Sequence, residues 1–283
     1  MRFQRLVMLA SLAVVVTANS IAVAASSTEA YSKGSALVEQ GKLRDALYAF
    51  ADAVRGDRAN QQYMQQFMLV RQALIYQNAL AEETNPNQWL PIAQALRSFY
   101  ISQDVHEQAL ELDRKIHQRE ASAGSAVQLA ETQLALGRNA EAAETLTALE
   151  AEKVTPATQA LLGIALVRQG KMDQARETIG AIKTSVDTGP GTYYCVARAT
   201  AAIGDVDDAL ALLTRCFEAT PPSRLAALKS HAQKLPEFAP LASKPTFAEV
   251  MQTASKVVES KCSGGSSCAG CPMRGQCASG GGQ

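Results

Sequence analysis

Residues Thr155 to Ile182 read TPATQALLGIALVRQGKMDQARETIGAI, and this stretch decides the fold class. Its pattern predicts two short helices joined by a tight turn at Gly170. Gly163 falls in the middle of the first helix, where a neighbouring helix can approach closely. Ala175, Ile179 and Ile182 follow at spacings of four and three residues, which places them on one face of the second helix.

The same pattern occurs in three other stretches of the chain. Seven residues before each turn glycine the chain has a small residue, Gly or Ala. Five residues after the glycine it has an alanine, and nine residues after it a large apolar residue. Steps of 33 and 34 residues separate the last three turn glycines. The first two turn glycines are 96 residues apart, which equals three steps of 32 and leaves room for two further units between them. We therefore expect two irregular helical hairpins between residues 58 and 122. The turn glycines are Gly41, Gly137, Gly170 and Gly204.

These motifs resemble the tetratricopeptide repeat (TPR) family, whose unit is about 34 residues of helix, turn and helix. The resemblance covers about 160 residues in four units. The first-helix tryptophan of the family is missing, and only Tyr193 is aromatic at that place. The resemblance implies an all-α fold, a right-handed superhelical solenoid of helix–turn–helix repeats, in residues 25–221. The pattern changes after Pro221, and residues 222–259 are predicted to form capping helices that cover the last repeat.

The first 24 residues have the features of a secretory signal peptide. Arg2 and Arg5 precede the apolar run Leu6–Val16, and Ala22-Val23-Ala24 fits a small-residue cleavage site. We therefore expect an exported protein, periplasmic or extracellular. The alternative is an uncleaved anchor over Leu6–Ala25, and only in that case do we expect association with a membrane.

The overall composition limits the classes of function. The chain has 27 basic and 27 acidic residues, so its formal net charge is zero and no nucleic-acid partner is expected. The 47% hydrophobic content includes only 5% aromatic residues, which suits closely packed helices. His106, His117 and His231 belong to no recognisable catalytic motif. The sequence therefore does not predict an enzyme.

The TPR resemblance implies that the first helices line a concave groove for a protein or peptide partner. The family's clamp for C-terminal carboxylates uses Lys and Asn, but Ala160 and Ile164 stand at those places, so that activity is not expected. In the alternative interpretation, Val127 and Ile164 pack between repeats. We predict a scaffold or adaptor for protein–protein interaction. The predicted groove residues are Val127, Glu131, Leu134, Ile164, Arg168, Tyr194 and Arg198.

Residues 260–283 are rich in Gly, Ser and Cys and are predicted to be a flexible, disordered tail, because they cannot form an apolar core. Four neighbouring thiolates could hold zinc or a [4Fe–4S] cluster, whereas export favours two disulfides. The cofactor therefore stays unknown, and a metal-binding or redox protein is the alternative function. These cysteines are Cys262, Cys268, Cys271 and Cys277.

The run CAGCPMRGQCASGGG within this tail resembles the cysteine-rich segment of cytosolic iron–sulfur scaffold NTPases. No phosphate-binding loop accompanies it, so NTPase activity is not implied.

Cys195 and Cys216 flank the turn at Gly204. In an antiparallel hairpin they lie at nearly the same height, since a helix rises about 1.5 Å per residue. A disulfide between them is therefore predicted. The alternative is that both are small buried residues of the core.

Overall fold

The computed structural model describes residues 26–185 and 188–258, and all regular secondary structure in these ranges is helical. The contacts between Cα atoms divide the chain into two compact units, one ending at Thr145 and the other beginning at Leu146. The predicted all-α class is confirmed. The signal peptide and the tail cysteines predicted from the sequence lie outside the described residues.

Helices connected by short turns make up both units. In unit 1 they are α1 (26–39), α2 (Leu43–Gly56), α3 (Gln61–Glu82), α4 (Pro86–Ser102), α5 (His106–Glu120) and α6 (Ala123–Ala135). The next helix, α7 (Asn139–Thr147), crosses the boundary between the units. In unit 2 they are α8 (Pro156–Arg168), α9 (Met172–Gly180), α10 (Pro190–Ala202), α11 (Val206–Ala219), α12 (Pro222–Lys234) and α13 (Pro245–Val250).

The four predicted turn glycines each close a helical hairpin. All four have a positive φ, between 71° and 87°, which glycine adopts without a steric penalty. After each of them, the next backbone N–H donates to the carbonyl five residues earlier in the first helix, as Lys171 does to Leu166 (2.9 Å). This bond satisfies a carbonyl at the end of the first helix and turns the chain back on itself. The helix–turn–helix units predicted around these glycines are therefore confirmed.

A fifth hairpin, α4–α5, closes on an aspartate instead of a glycine. Asp104 has a φ of 61°, and the N–H of Val105 donates to the carbonyl of Tyr100 (2.9 Å), as in the other turns. An Asp or Asn tolerates this conformation better than most residues. The Asp104 carboxylate also lies 2.8 Å from Nε2 of His106. Asp104 precedes Gly137 by 33 residues, so it continues the repeat spacing.

Helix α3 interrupts the succession of hairpins. It begins at the side-chain cap of Asn60, runs for 22 residues and has no turn in its middle. It buries Tyr63, Val70 and Ala73, and packs against α2 and α4. The expectation of two hairpins between residues 58 and 122 is therefore wrong for one of them. A single long helix and one hairpin fill that part of the chain.

In each hairpin the seam between the two helices is formed by the residue seven positions before the turn residue and the residue nine positions after it. At these positions, Gly34 faces Phe50 and Gly163 faces Ile179, and an added Cβ would lie 2.8 Å from Phe50 Cε1 and 2.7 Å from Ile179 Cδ1. Such distances leave no room for a side chain, so glycine permits the close approach. In the hairpin α4–α5 an arginine and an aspartate take these two positions.

The last part of unit 2 packs against its final hairpin. Phe238, Leu241 and Phe247 are buried in one cluster with residues of α10 and α11, among them Tyr194 and Phe217. Helix α12 contributes Ala232 to the same cluster. Residues 222–250 therefore belong to the apolar core of unit 2.

Candidate interaction surfaces

In unit 1, side-chain hydrogen bonds link the first helices α4 and α6, and the two helices present a polar face. The side-chain amide of Gln94 on α4 donates to the amide oxygen of Gln128 on α6 (3.1 Å). Ser98 on α4 is exposed, and Val127 and Glu131 on α6 are half-buried. We call these five residues the α4–α6 face. It combines amide, hydroxyl, apolar and carboxylate groups that solvent reaches.

A buried ion pair underlies this face. Arg97 of α4 pairs through Nε with Oδ1 of Asp113 on α5, whose side chain is fully buried. Thr132 of α6 donates its hydroxyl to the other oxygen of Asp113 (2.6 Å). Nη2 of Arg97 also donates to the carbonyl of Gln128 (3.4 Å). The network neutralises both charges and joins three helices, so it fixes the place of Gln128 in the face above it.

The first-helix face of unit 2 is covered by the chain's own C-terminal part. Tyr194 on α10 shares a hydrogen bond with Nδ1 of His231 on α12 (2.8 Å), and its ring lies 6.1 Å from that of Phe238. Arg168 on α8 pairs with Oε1 of Glu237 (2.6 Å). Oε2 of the same glutamate lies 3.7 Å from Nε of Arg198.

The predicted groove residues differ in how far solvent reaches them. Only Val127, Glu131 and Arg168 are partly exposed. Leu134 and Ile164 are buried among the helices, and Tyr194 and Arg198 are buried under the C-terminal part of unit 2. The expectation that these last four residues line an open groove is therefore wrong. For Ile164, the alternative that it packs in the interior is correct.

Cys195 and Cys216 are both buried, and the disulfide predicted between them is not formed. Their heights along the hairpin match, but their directions do not. Residues two apart on a helix differ by about 200°, so Cys195 points away from the side of α10 on which Tyr193 and Ala197 pack with Cys216. The thiol of Cys216 instead donates to the carbonyl of Pro190 (3.2 Å).

The thiol of Cys216 is also held in its protonated form by burial. Burial raises its pKa to about 11, although a hydrogen bond with Thr220 acts in the opposite direction. A thiol with this pKa carries almost no thiolate near neutral pH. The tail cysteines Cys262, Cys268, Cys271 and Cys277 lie outside the described residues.

Within residues 26–185 and 188–258, no group of three or more His, Cys, Asp or Glu side chains is placed to hold a metal ion. A cleft of about 370 Å³ in unit 1 is lined by residues of α3, α4 and α5, including Trp89, Tyr100 and Arg119. The guanidinium of Arg119 lies over the Trp89 ring at 3.8 Å. Burial, and secondly the charge of Glu111, raises the pKa of Tyr100 to about 12, so this phenol stays protonated.

Sequence reasoning missed two pairs of charged residues. Arg97 and Asp113 stand where the repeat pattern expects a small and a large apolar residue. They lie seven residues before and nine residues after Asp104, as the equivalent residues do in the other hairpins, and this spacing could have identified them. Glu237 comes from a distant part of the chain, 69 residues beyond Arg168. No local pattern links those two residues.

No helix in the part of the chain that the structure describes is both long and apolar enough to cross a membrane.

The chain matches no protein-family model, and a search of curated proteins finds no significant match. Among solved structures it is similar to the crystal structure of YrrB, described as a TPR protein with an unusual peptide-binding site. The two share 15% sequence identity over 73% of this chain and 91% of that chain, with a TM-score of 0.31. The hairpins described above are assigned from their own helices and turns, independently of this likeness.

Proposed function

We propose that this chain is an exported interaction scaffold that binds a segment of another protein on the α4–α6 face. The observation that carries the proposal is the pair of side-chain amides, Gln94 and Gln128, that bridge the two first helices at an accessible surface. Beyond the bond they share, each amide keeps at least one N–H donor and acceptor capacity on its oxygen. They can therefore bond the backbone N–H and C=O groups of an extended segment.

The side chains around the amides support a peptide ligand. Val127 offers an apolar contact, Ser98 a hydroxyl and Glu131 a carboxylate, so the face can select among side chains of the bound segment. Beneath the face, Arg97 of α4 donates to the carbonyl of Gln128 on α6, and both α4 and α6 are tied to Asp113 of α5 by Arg97 and Thr132. A rigid support lowers the entropic cost of binding, because less of the surface has to be ordered when the partner arrives.

Export is part of the proposal and rests on the N-terminal sequence. Arg2, Arg5, the apolar run Leu6–Val16 and the small residues Ala22-Val23-Ala24 together have the pattern of a cleaved leader. Fractionation of cells that produce the full chain tests this part. We expect the protein in the exported fraction with Ala25 as its first residue, and an unprocessed N-terminus in the cytosol would refute export.

Site-specific cross-linking tests the binding face. A photoreactive amino acid at Ser98, on the face, is compared with one at Gln118, an exposed residue of α5 outside the face. We expect a discrete cross-linked protein from position 98 and none from position 118. Replacement of both Gln94 and Gln128 by alanine should reduce that product strongly. Equal cross-linking from both positions, or a product that is insensitive to the amide variants, would move the binding surface elsewhere.

A further inference from the structure

The C-terminal part of unit 2 makes a tight turn over the first helices of that unit. After α12 ends, residues Leu235 to Phe238 form a turn closed by the hydrogen bond from Phe238 N–H to the carbonyl of Leu235 (3.2 Å). Pro236 occupies the second position of this turn, where its fixed φ is favourable. The turn places Glu237 and Phe238 side by side against α10.

Two arginines from neighbouring helices hold the carboxylate of Glu237. Arg168 of α8 binds Oε1 at 2.6 Å, whereas Arg198 of α10 approaches Oε2 only to 3.7 Å. The glutamate side chain is 3% exposed, and its Oε2 atom makes no hydrogen bond in the described part of the chain. A buried charged oxygen without a hydrogen bond is unfavourable. The turn therefore leaves one oxygen of its carboxylate without a hydrogen bond.

Phe238 provides the second contact of the turn. It is almost completely buried, and its ring lies 6.1 Å from that of Tyr194, one turn of α10 before Arg198. The face formed by α8 and α10 thus receives a carboxylate and, directly after it in sequence, an aromatic ring. Both features are side-chain chemistry that a segment of another protein can supply.

We propose that the turn Leu235–Phe238 is an intramolecular occupant of a second peptide site, formed by Arg168, Tyr194 and Arg198. The ligand of this site is a segment of another protein in which a glutamate is followed by an aromatic residue. Such a segment competes with the turn, and its carboxylate can accept hydrogen bonds through both oxygens. The occupant lowers the apparent affinity for the ligand in proportion to the fraction of molecules whose site is open. This site is separate from the α4–α6 face and does not depend on it.

Fluorescence anisotropy of short labelled peptides tests the proposal on the mature chain. The peptide LPEFAP repeats residues 235–240, and LPQFAP and LPEAAP lack the carboxylate and the aromatic ring, respectively. All three are acetylated and amidated, so that only a side chain can provide a carboxylate. The wild type is compared with Glu237→Gln, which weakens the internal contact. We expect this variant to bind LPEFAP about tenfold more tightly than the wild type does, because more of its sites are open.

Two further proteins make the result specific. Insertion of Gly-Ser-Gly-Ser between Lys234 and Leu235 keeps every contact residue but loosens the turn, so it should also strengthen the binding of LPEFAP. If Glu237→Gln does not fold, this insertion variant alone tests the proposal. The double variant Arg168→Gln/Glu237→Gln should lose the preference for LPEFAP over LPQFAP, because Arg168 makes the short contact with the carboxylate (2.6 Å). Failure of both opened proteins to bind LPEFAP, or equal binding of the three peptides, would overturn the proposal. Cross-linking from Ser98 would be unaffected by that outcome.

Discussion

The ion pair between Arg97 and Asp113 replaces an apolar contact of the other hairpins, and this replacement leads to a quantitative prediction. In the hairpin α10–α11 the equivalent positions hold Ala197 and Leu213, both fully buried. The three variants to compare are Arg97→Ala, Asp113→Leu and the double variant that carries both changes. The double variant restores the apolar pair that the repeat pattern expects.

Each single change leaves one charge without its partner in the interior. The side chain of Asp113 is 0% exposed and that of Arg97 is 14% exposed, so water can compensate little for the loss. Removal of one partner of a buried ion pair costs about 3–5 kcal/mol. A domain of about 150–250 residues loses roughly 2–4 °C in melting temperature per kcal/mol, so each single variant should melt well below the wild type.

The double variant should be close to the wild type in stability, or above it. Replacement of a buried ion pair by apolar residues of similar volume is often neutral or stabilising by about 1–4 kcal/mol. Thr132 keeps a second acceptor, because its hydroxyl lies 3.2 Å from the carbonyl of Gln128. The interaction energy in the double-mutant cycle should therefore reach at least the upper end of the roughly 0.5–3 kcal/mol found for residues in contact or in one salt-bridge network.

Urea unfolding followed by circular dichroism measures all four proteins. Arg114→Ala is the matched control, because Arg114 is next to Asp113 in sequence and pairs with Glu141 at the surface, with side chains 49% and 43% exposed. A pair of this kind contributes about 0–1 kcal/mol, so the control should change the unfolding midpoint little. If the double variant loses as much stability as the two single variants together, the ion pair does not explain the single losses and our interpretation of this seam is refuted. Single variants as stable as the control would refute it as well.

Three other predictions follow from the described contacts. Gly163→Ala should lower the free energy of unfolding by about 1–3 kcal/mol because its Cβ would overlap Ile179, whereas Gly180→Ala in the same hairpin meets no atom within 4 Å and should not destabilise; equal effects in urea titrations would show that this seam is not closely packed. Alkaline pH should destabilise the fold from about pH 9 upward. In the folded state Cys216 and Tyr100 keep their protons, because their pKa values are raised to about 11 and about 12, whereas the unfolded chain releases them. The variant Cys216→Ala/Tyr100→Phe should lose less stability at alkaline pH, and an unchanged dependence of stability on pH would contradict this prediction. Deletion of residues 260–283 should leave cross-linking from Ser98 intact, and loss of the product would locate the binding in the tail.

The parts of the fold that follow from local rules could be predicted from the sequence. A turn that requires a positive φ favours glycine, so Gly41, Gly137, Gly170 and Gly204 identified four hairpins. The fifth turn was harder to find because Asp104 adopts the same conformation without being a glycine. Helix α3 runs for 22 residues without a turn, and that it forms no hairpin of its own depends on packing against α2 and α4 rather than on a local pattern.

The parts of the candidate sites that depend on distant contacts could not be predicted in this way. The family register placed Tyr194 and Arg198 on a first-helix face, and that placement alone cannot show that a later turn covers them. The contact between Arg168 and Glu237 forms only when residues 222–250 fold back over α8 and α10. Burial of a predicted binding residue is therefore decided by tertiary structure, and each unit has to be considered separately.

A shift of one residue along the first helix explains why arginines have different roles in the two units. Arg97 stands seven residues before its turn residue, Asp104, and Arg198 stands six residues before Gly204. One residue changes the direction of a helical side chain by about 100°. Arg97 therefore points into the seam of its hairpin, where Asp113 neutralises it. Arg198 instead points to the first-helix face, where its charge needs a carboxylate from outside the hairpin, and Glu237 supplies one. The position of the arginine relative to the turn thus decides whether its charge is neutralised within the hairpin or by a carboxylate from another part of the chain.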